Sequence, residues 1–380
     1  MTEKIRMGMV GGGSGAFIGS VHRLAAEMTG KIDLVAGAFS SDAAASREFG
    51  IQLGLDENRS YDTYQAMLDT EAALPPEARI QCVSIVTPNN SHADIACMAL
   101  ERGMHVICDK PLADNLENAE RVAVAVEKSG LLFGITHTYT GYPLIIEARE
   151  RVKSGELGNI RRIVVIYFQD WLSAETDTKG SKQASWRTDS TVGGESGAFA
   201  DIGTHAFNLV EFITDQQMVE VAAELRTVVP SRAIDDDGAA LFRMENGASG
   251  MLAASQVCTG AVNGLRIEVY GDTASLHWSH GDPNTLTIGR RGEPDQILSP
   301  GNNVEYLSDA ARARCRTPGG HPEGFIEAFS NLYMDFATAI RAFPEYTDNV
   351  CATVGDGVRA MRFVRATITS TNNDSQWTPV

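Results

Sequence analysis

A glycine-rich stretch near the N-terminus is the first part of this sequence whose residue types could do chemistry. It reads GGGSGAFIGSVH (residues 11–22) and directly follows a short apolar run, MGMV. Glycines let a backbone turn tightly and approach a diphosphate closely, and the N-terminus of a following helix offers N–H donors and a favourable dipole. The stretch therefore favours a dinucleotide-binding loop, with a structural turn as the alternative reading.

The spacing of this loop departs from the usual GxGxxG pattern. Gly11 and Gly13 fit the first two positions, the third falls on Ala16, and the next glycine in a helical context is Gly19. The loop is therefore expected to be about three residues longer than the usual fingerprint.

The residue types at the end of the second predicted strand should indicate whether the dinucleotide is NAD or NADP. An acidic residue there would bind the adenosine ribose of NAD, but the position is Phe39, followed by Ser40, Ser41 and Asp42. Asp42 would suit NAD, whereas Ser40, Ser41 and the nearby Arg47 would suit the 2′-phosphate of NADP. The sequence leaves both cofactors open.

A lysine in the segment CDKPLADN (residues 108–115) is the second chemical feature. Lys110 follows the predicted fifth strand, and ligands bind at the carboxyl ends of strands in parallel sheets. The alternative is an ordinary surface lysine.

An aspartate and a histidine four residues apart form the third feature. They lie in GGESGAFADIGTHAFNLVEF (residues 193–212), where a helix is predicted from Asp201 to Thr214. The spacing puts Asp201 and His205 on one side of that helix, with Asp201 in the first turn, where the dipole favours its ionised form. His205 could accept a proton near neutral pH, or it could be a core histidine bonded to a carbonyl.

The elements that must position these residues differ between the two halves of the chain. In the first half, short apolar strands and amphipathic helices alternate six times, which predicts a doubly wound parallel sheet with helices on both faces. After a helix at residues 143–155, the second half shows long runs of two-residue alternation, with hairpin signals at MENGAS and YGDTAS. We therefore predict a dinucleotide-binding domain at residues 1–138. A substrate-binding and oligomerisation α/β domain with a mostly antiparallel sheet is predicted at residues 139–380, with the alternative that its C-terminal helices pack back on the first domain.

Composition excludes several classes of protein. The 380 residues carry a formal net charge of −17, so a nucleic-acid partner is not expected. The hydrophobic share of 43 % can form a core, which argues against disorder. We see no membrane-length apolar run and no signal peptide, and the six cysteines form no CxxC pair. A cytoplasmic protein without a metal site is expected.

Taken together, the motifs resemble one family. GGGSGAFIG, TPNNSH (residues 87–92), DKP and DIGTH occur in the order and spacing of the glucose-fructose oxidoreductase/inositol dehydrogenase (Gfo/Idh/MocA) family. The resemblance covers nearly the whole chain. It implies a Rossmann domain followed by an α/β domain with an open, mostly antiparallel sheet, and assembly as a homodimer or homotetramer.

The resemblance also implies which residues act. Lys110 matches the family's lysine, which contacts the nicotinamide ribose and the reacting hydroxyl, while Asp201 and His205 match its substrate-binding aspartate and catalytic histidine. The expected NAD(P) contacts are Gly11, Gly13, Ser14, Gly15, Ala16, Phe17, Ile18, Ser40, Ser41, Thr87, Pro88, Asn89, His92, Asp109 and Lys110. Two departures are Asp109 in place of a glutamate and Asn208 in place of an aspartate three residues after the histidine.

The implied activity is NAD(P)-dependent oxidation of a secondary hydroxyl of a sugar, glycoside or inositol. Tyr139, Trp186 and Arg187 are candidate substrate contacts beside Lys110, Asp201 and His205. Two rival functions are a sugar oxidoreductase or NAD-assisted glycosidase that retains its cofactor, and a non-catalytic dinucleotide-sensing regulator. A sensor would have no need of both Lys110 and His205.

Overall fold

The computed structural model describes residues 3–174, 187, 189–345 and 351–380. The chain divides into two compact units, of which the first contains Met1–His137 and Phe329–Val358 and the second contains Thr138–Ala328 and Arg359–Val380. The predicted boundary at residue 138 lies next to the first crossing of the chain. Residues 329–358 belong to the first unit, where Ile135 donates its N–H to the carbonyl of Ala352 over 2.8 Å.

The first unit is built on a five-stranded parallel sheet with the order β2-β1-β3-β4-β5. Its strands are β1 (Ile5–Gly11), β2 (Ile32–Ala38), β3 (Cys82–Val86), β4 (His105–Cys108) and β5 (Phe133–Ile135). Its connecting helices are α1 (Phe17–Met28), α2 (Ala43–Gln52), α3 (Tyr64–Ala73), α4 (His92–Glu101) and α5 (Leu116–Ser129). Every residue of β3 and β4 is buried, as expected of parallel strands covered on both faces. The predicted fold class is confirmed.

The number of strand–helix alternations was predicted wrongly. The parallel sheet has five strands, and Lys110 follows β4, the fourth strand of the chain. Between β2 and β3, α2 and α3 follow each other with only a short 3₁₀ turn (Glu57–Arg59) between them.

The order of the strands reverses between β1 and β3, which are neighbours inside the sheet. Ligand crevices in such sheets open outside the carboxyl ends of the strands at this point. Gly11 ends β1 and Thr87 directly follows β3. The glycine loop and the TPNNSH segment therefore lie where the topology predicts a ligand.

The second unit contains a nine-stranded sheet with the order β13-β12-β11-β10-β6-β9-β8-β7-β14. Its strands are β6 (Ile160–Phe168), β7 (Met218–Arg226), β8 (Asp237–Met244), β9 (Ser249–Ser255), β10 (Gly264–Gly271), β11 (Ser275–Ser279), β12 (Asp282–Gly289), β13 (Gln296–Leu298) and β14 (Thr378–Pro379). All neighbours are antiparallel except β6 and β9. The mostly antiparallel sheet is thus confirmed, and the predicted hairpins join β8 to β9 and β10 to β11.

Helices complete both units. They are α6 (Pro143–Lys153), α7 (Ser190–Gly193), α8 (Thr204–Thr214), α9 (Asp309–Arg312), α10 (Phe325–Ala342) and α11 (Val354–Asn372). The core of the second unit includes stacked rings, with Phe363 4.7 Å from Phe207 and 6.0 Å from Phe199 between ring centroids. This packing anchors the segment that carries Asp201 and His205.

That segment does not begin as the sequence predicted. A π-helix (Phe199–Gly203) precedes α8, so Asp201 lies in a π turn and not in the first turn of an α-helix. The buried carboxylate of Asp235 accepts hydrogen bonds from the N–H groups of Gly197 (2.9 Å) and Phe199 (3.0 Å). These bonds hold the chain upstream of Asp201, so the helical segment starts earlier than the sequence indicated. Single π turns inside helices occur frequently at functional sites.

Candidate functional site: a dinucleotide cradle and a polar substrate network

The glycine loop between β1 and α1 has no room for side chains at two of its positions. Gly11 has φ +85°, a conformation that favours glycine, and a Cβ there would lie 2.7 Å from Thr87 Cγ2. At Gly13 a Cβ would lie 2.6 Å from the carbonyl oxygen of Phe39. The backbone therefore carries no side chain at Gly11 and Gly13, in the loop that a diphosphate would approach.

Gly19 takes the helix-packing role that the usual spacing gives to the third glycine. A Cβ on Gly19 would lie 2.3 Å from the Cα of Gly12, so only glycine lets α1 approach the loop this closely. Ala16, where the usual spacing would put that glycine, stands at the N-cap of α1 instead. The Gly12 carbonyl is also bound by Nη1 of Arg23 over 2.7 Å.

The N-terminus of α1 is open to an anion. Its N-cap, Ala16, makes no side-chain cap, and its first turn holds no acidic residue. The first N–H groups of a helix need acceptors, and the helix dipole favours negative charge there. Ser14, Gly15, Phe17 and Ile18 surround this end, and Phe17 is 67 % exposed. The loop fits a dinucleotide diphosphate.

The residues after β2 are largely occupied by local contacts. Oδ1 of Asp42 caps α2 by accepting the N–H of Ala45 (2.8 Å), and Ser40 Oγ accepts the N–H of Asp42 (3.1 Å). Arg47 Nη2 lies 2.9 Å from Oδ2 of Asp62, and this pairing raises the pKa of Arg47. The carboxylate that would bind the ribose of NAD and the base that would bind a 2′-phosphate are thus both engaged in local contacts, so the residues after β2 alone select neither cofactor.

His92 braces two loops of the first unit. Its Nδ1 lies 2.9 Å from the carbonyl oxygen of Pro111, and its Nε2 lies 2.9 Å from that of Thr87. The ring is 1 % exposed, and burial lowers its pKa. His92 was predicted beside the nicotinamide half of the cofactor. In the structure both ring nitrogens face protein carbonyls, and the ring ties the segment after β3 to the turn after Lys110.

Lys110 stands just beyond the carboxyl end of β4, with Asp109 before it. Asp109 donates its N–H to the carbonyl of Ile85 (2.9 Å), and its Oδ1 accepts a hydrogen bond from Thr136 (2.9 Å). Burial alone would raise the pKa of Asp109, but the hydrogen bond and charge of His22, with Lys110 and His92, lower it to about 2. Burial and the charge of Lys110 lower the pKa of the neighbouring His137 to about 3.

In the second unit, Asp201 is held by two side chains. Gln256 donates from Nε2 to Oδ2 of Asp201 over 2.7 Å, and Nε of Arg187 lies 3.4 Å from the same oxygen. The Arg187 guanidinium also lies 5.7 Å from the ring centroid of Trp171. The structure therefore brings the predicted Arg187 to Asp201, while Trp186 lies outside the described residues.

A network of phenol and amide groups adjoins this aspartate. The Tyr139 and Tyr167 hydroxyls are 2.5 Å apart, and Tyr167 donates to Oδ1 of Asn263 over 2.5 Å. Gln169 donates to the same Asn263 oxygen over 2.7 Å and accepts from Nε1 of Trp171 over 2.9 Å. Asn263 holds φ +56°, which asparagine tolerates better than most residues. The network offers neutral donors and acceptors, the groups that recognise hydroxyls.

His205 completes this network through ring contacts. Its ring centroid lies 5.0 Å from that of Tyr139, edge to face, and 6.2 Å from that of Tyr167. Burial first, and then the charge of Asp201, raise the pKa of Tyr139 to about 12 against the hydrogen bonds from Tyr167 and Asn263. Tyr139 is therefore a neutral phenol packed against the His205 ring.

Sequence reasoning missed four members of this network: Tyr167, Gln169, Gln256 and Asn263. A signal existed for two of them, since Tyr167 and Gln169 share one face at the end of β6. The others depend on long-range pairing. Gln256 follows β9, which runs parallel to β6 with Phe168 opposite Ser255, so the carboxyl ends of both strands meet there. No local pattern reveals that pairing.

Among the described residues, no helix is long and apolar enough to cross a lipid bilayer. Within the same ranges, no group of three or more His, Cys, Asp and Glu side chains is arranged to hold a metal ion.

Comparison with known proteins agrees with the geometry of both units. Residues 5–137 match the profile of the oxidoreductase family with an NAD-binding Rossmann fold, and residues 145–277 match the GFO/IDH/MocA C-terminal domain. An uncharacterized oxidoreductase of Bacillus subtilis, YfiI, is 34 % identical over 99 % of this chain and 97 % of its own.

The names of two relatives include a ligand or a substrate. An inositol dehydrogenase homolog from Azotobacter vinelandii, crystallised with NADH and myo-inositol, is 35 % identical with a TM-score of 0.92, covering 100 % of this chain and 98 % of its own. Levoglucosan dehydrogenase of Pseudarthrobacter phenanthrenivorans is 28 % identical over 75 % of this chain and 76 % of its own. The chain therefore belongs to the Gfo/Idh/MocA family of oxidoreductases and carries that family's NAD-binding Rossmann domain.

Proposed function

We propose that the protein is an NAD-dependent dehydrogenase that oxidises a secondary hydroxyl of a neutral sugar, glycoside or inositol. The observation that carries this proposal is that the His205 ring packs on Tyr139 within a network of neutral amide and phenol groups, to which Gln256 joins Asp201. The relatives support the substrate class, because one was crystallised with myo-inositol and another is named for levoglucosan.

Each polar residue has a distinct role in this proposal. His205 takes the proton of the reacting hydroxyl on an imidazole nitrogen, as a general base does. Asp201, held by Gln256, accepts a hydrogen bond from a substrate hydroxyl and orients it. Lys110 presents its ammonium group to the same oxygen and stabilises the negative charge that develops as the proton leaves. When bound, NAD supplies the hydride acceptor.

The chemistry of the network favours a neutral substrate. Its polar groups are the amides of Gln169, Gln256 and Asn263 and the phenols of Tyr139 and Tyr167. Such groups donate to and accept from hydroxyls without requiring a charge on the ligand. Nearby, Arg187 pairs with Asp201, so its charge is balanced within the unit.

The test is an absorbance assay for reduced nicotinamide with NAD and NADP in parallel, across a panel of inositols, aldoses and glycosides. We expect turnover with NAD, and a loss of about 10²–10⁴ in kcat for His205→Ala. Lys110→Met should also lose most turnover, because charge stabilisation of this kind is typically worth about 10²–10³. Ser20→Ala, an exposed site on α1, is the control.

Other outcomes distinguish the rival functions. Cofactor that remains bound through purification, with hydride passing between two sugars or a glycoside being cleaved, indicates the retained-cofactor reading. Tight NAD binding with no turnover on any substrate indicates the regulator. Full activity in both Lys110→Met and His205→Ala overturns the proposed mechanism. Homodimer or homotetramer assembly and a cytoplasmic location stay predictions, and light scattering tests the first.

A further inference from the structure

A buried chain of polar side chains in the first unit leads to the residue before Lys110, and the proposed mechanism does not use it. The Tyr333 hydroxyl lies 2.8 Å from Ser84 Oγ and 2.7 Å from Nδ1 of His22. Nε2 of His22 lies 3.5 Å from Oδ1 of Asp109. Ser84, His22 and Tyr333 are each 0 % exposed. Three side chains from three separate segments thus lead to one carboxylate, that of Asp109.

The charge of Asp109 selects the tautomer of His22. With its proton on Nδ1, the ring would turn the Nε2 lone pair toward a carboxylate oxygen, which is repulsive. With its proton on Nε2, the ring presents an N–H to Asp109 and accepts the Tyr333 hydroxyl on Nδ1, while Tyr333 accepts from Ser84. The donors then run in one direction, from Ser84 through Tyr333 and His22 toward Asp109.

The buried atoms indicate that this chain is more than packing. Nε2 of His22 is a buried nitrogen without a hydrogen-bond partner at standard distance in the described residues, and the carboxylate is its nearest ionic neighbour. Leaving such a group without a full hydrogen bond costs free energy. Burial raises the pKa of Tyr333 well above its ordinary value, so its hydroxyl is a stable donor. An apolar ring in place of His22 would fill the same space beside Phe329, whose ring centroid lies 4.6 Å from that of His22, without these costs.

We propose that Tyr333 and His22 are positioning residues for the catalytic step, acting through the carboxylate of Asp109 on the placement of Lys110. The inference rests on the proposed function, since it requires Lys110 to touch the reacting oxygen. Asp109 is fixed from two sides, by Thr136 at 2.9 Å and by His22, and its backbone continues directly into Lys110. A shift of that carboxylate therefore moves the lysine.

The central test is Tyr333→Phe, which removes one hydroxyl and keeps the ring. We expect kcat to fall about 10- to 100-fold, because small misplacements of a catalytic group have effects of this size, with the KM values for NAD and substrate within about twofold of the parent. The matched control is Tyr61→Phe in the same unit, whose hydroxyl donates to buried Glu71 over 2.9 Å. It should lose stability without losing kcat.

Asp109 variants give a second readout. Asp109→Asn should lower kcat at least as far as Tyr333→Phe does. Asp109→Glu should keep most of the parent kcat, since it retains a carboxylate. In the double variant Tyr333→Phe/Asp109→Asn the two losses should not multiply, because both act through the same carboxylate. Multiplicative losses, or a Tyr333→Phe enzyme that behaves like Tyr61→Phe, overturn the inference.

Failure of the proposed function has a different signature. If Lys110→Met keeps its turnover, the role proposed for Lys110 falls, and the positioning role falls with it. If Lys110→Met is inactive while Tyr333→Phe retains its kcat, only the positioning role is overturned. Thermal unfolding of each variant, measured beside its kinetics, separates loss of folded protein from loss of the catalytic step.

Discussion

At the scale of single residues, burial decides how the histidines of the first unit behave. His105 accepts the N–H of Leu132 on Nδ1 over 3.1 Å and packs edge to face on Phe343, 4.9 Å between ring centroids. Burial lowers its pKa to about 4. The same cause lowers the pKa of His137 and of His92. These rings are structural parts of a neutral, hydrogen-bonded core near the sheet.

This burial makes stability depend on pH. Between the ordinary histidine value near pH 6.5 and about pH 4, the unfolded chain binds a proton at His105 that the folded chain does not, so stability rises with pH across this range. We expect the first unit to lose roughly 2 kcal/mol on this account between pH 6.5 and pH 5. His105→Asn keeps an acceptor for Leu132 and cannot titrate.

Thermal unfolding of the parent and of His105→Asn at pH 7 and pH 5 measures this effect. The variant should lose less stability on acidification than the parent does. Equal losses in the two proteins would show that His105 is not neutral in the folded state.

At the scale of elements, the close approach of α1 to the loop after β1 decides whether the dinucleotide-binding loop (residues 11–19) can form the cradle for the cofactor. The loop is longer than the usual fingerprint, yet the close contact is preserved, because Gly19 on α1 meets Gly12 across a gap that no Cβ could enter. Arg23, one turn further along α1, binds the Gly12 carbonyl and lies 5.1 Å from the ring centroid of Phe49. The helix thus positions the loop from two points.

Gly19→Ala should therefore damage NAD binding. Its Cβ would lie 2.3 Å from the Cα of Gly12, so α1 or the loop must move, at a cost of about 1–3 kcal/mol in stability. We expect the Kd for NAD to rise at least about tenfold, a change of 1.4 kcal/mol. Calorimetric titration with NAD checks this, and Ser20→Ala on the same helix should leave the Kd unchanged. An unaltered Kd in Gly19→Ala would mean that this contact does not shape the cradle.

At the scale of the whole molecule, we expect the acidic charge to disfavour anionic substrates before any contact forms. A net charge of −17 repels anions, and salt screens that repulsion over about 8–10 Å. The neutral amides and phenols around Tyr139 add no compensating positive field.

A comparison of neutral and phosphorylated polyols at saturating NAD tests this selection. The kcat/KM for a neutral polyol should be nearly insensitive to ionic strength. The kcat/KM for the phosphate ester of that polyol should be lower at low salt and should rise as salt is added. A phosphate ester that is preferred at low salt would contradict the neutral-substrate proposal.

Much of the molecule follows from local patterns. The apolar strands, the helices and the switch to two-residue alternation near residue 138 are encoded by side-chain periodicity, so both sheets were predictable. The glycine loop, Lys110, Asp201 and His205 are candidates that the sequence itself offers, because each lies at or beside an element boundary where residue type and position are informative together.

What the sequence by itself determined is the order of the elements and the residues at their ends, since both depend on neighbours along the chain. Tertiary structure alone decided that β6 and β9 run in parallel and bring Gln256 to Asp201. It also decided that Tyr333 reaches His22 from 311 positions away, and that Asp235 starts a π turn ahead of α8. These contacts join residues distant in sequence, and the free energy that selects them comes from burial and hydrogen bonds formed only when the chain is folded.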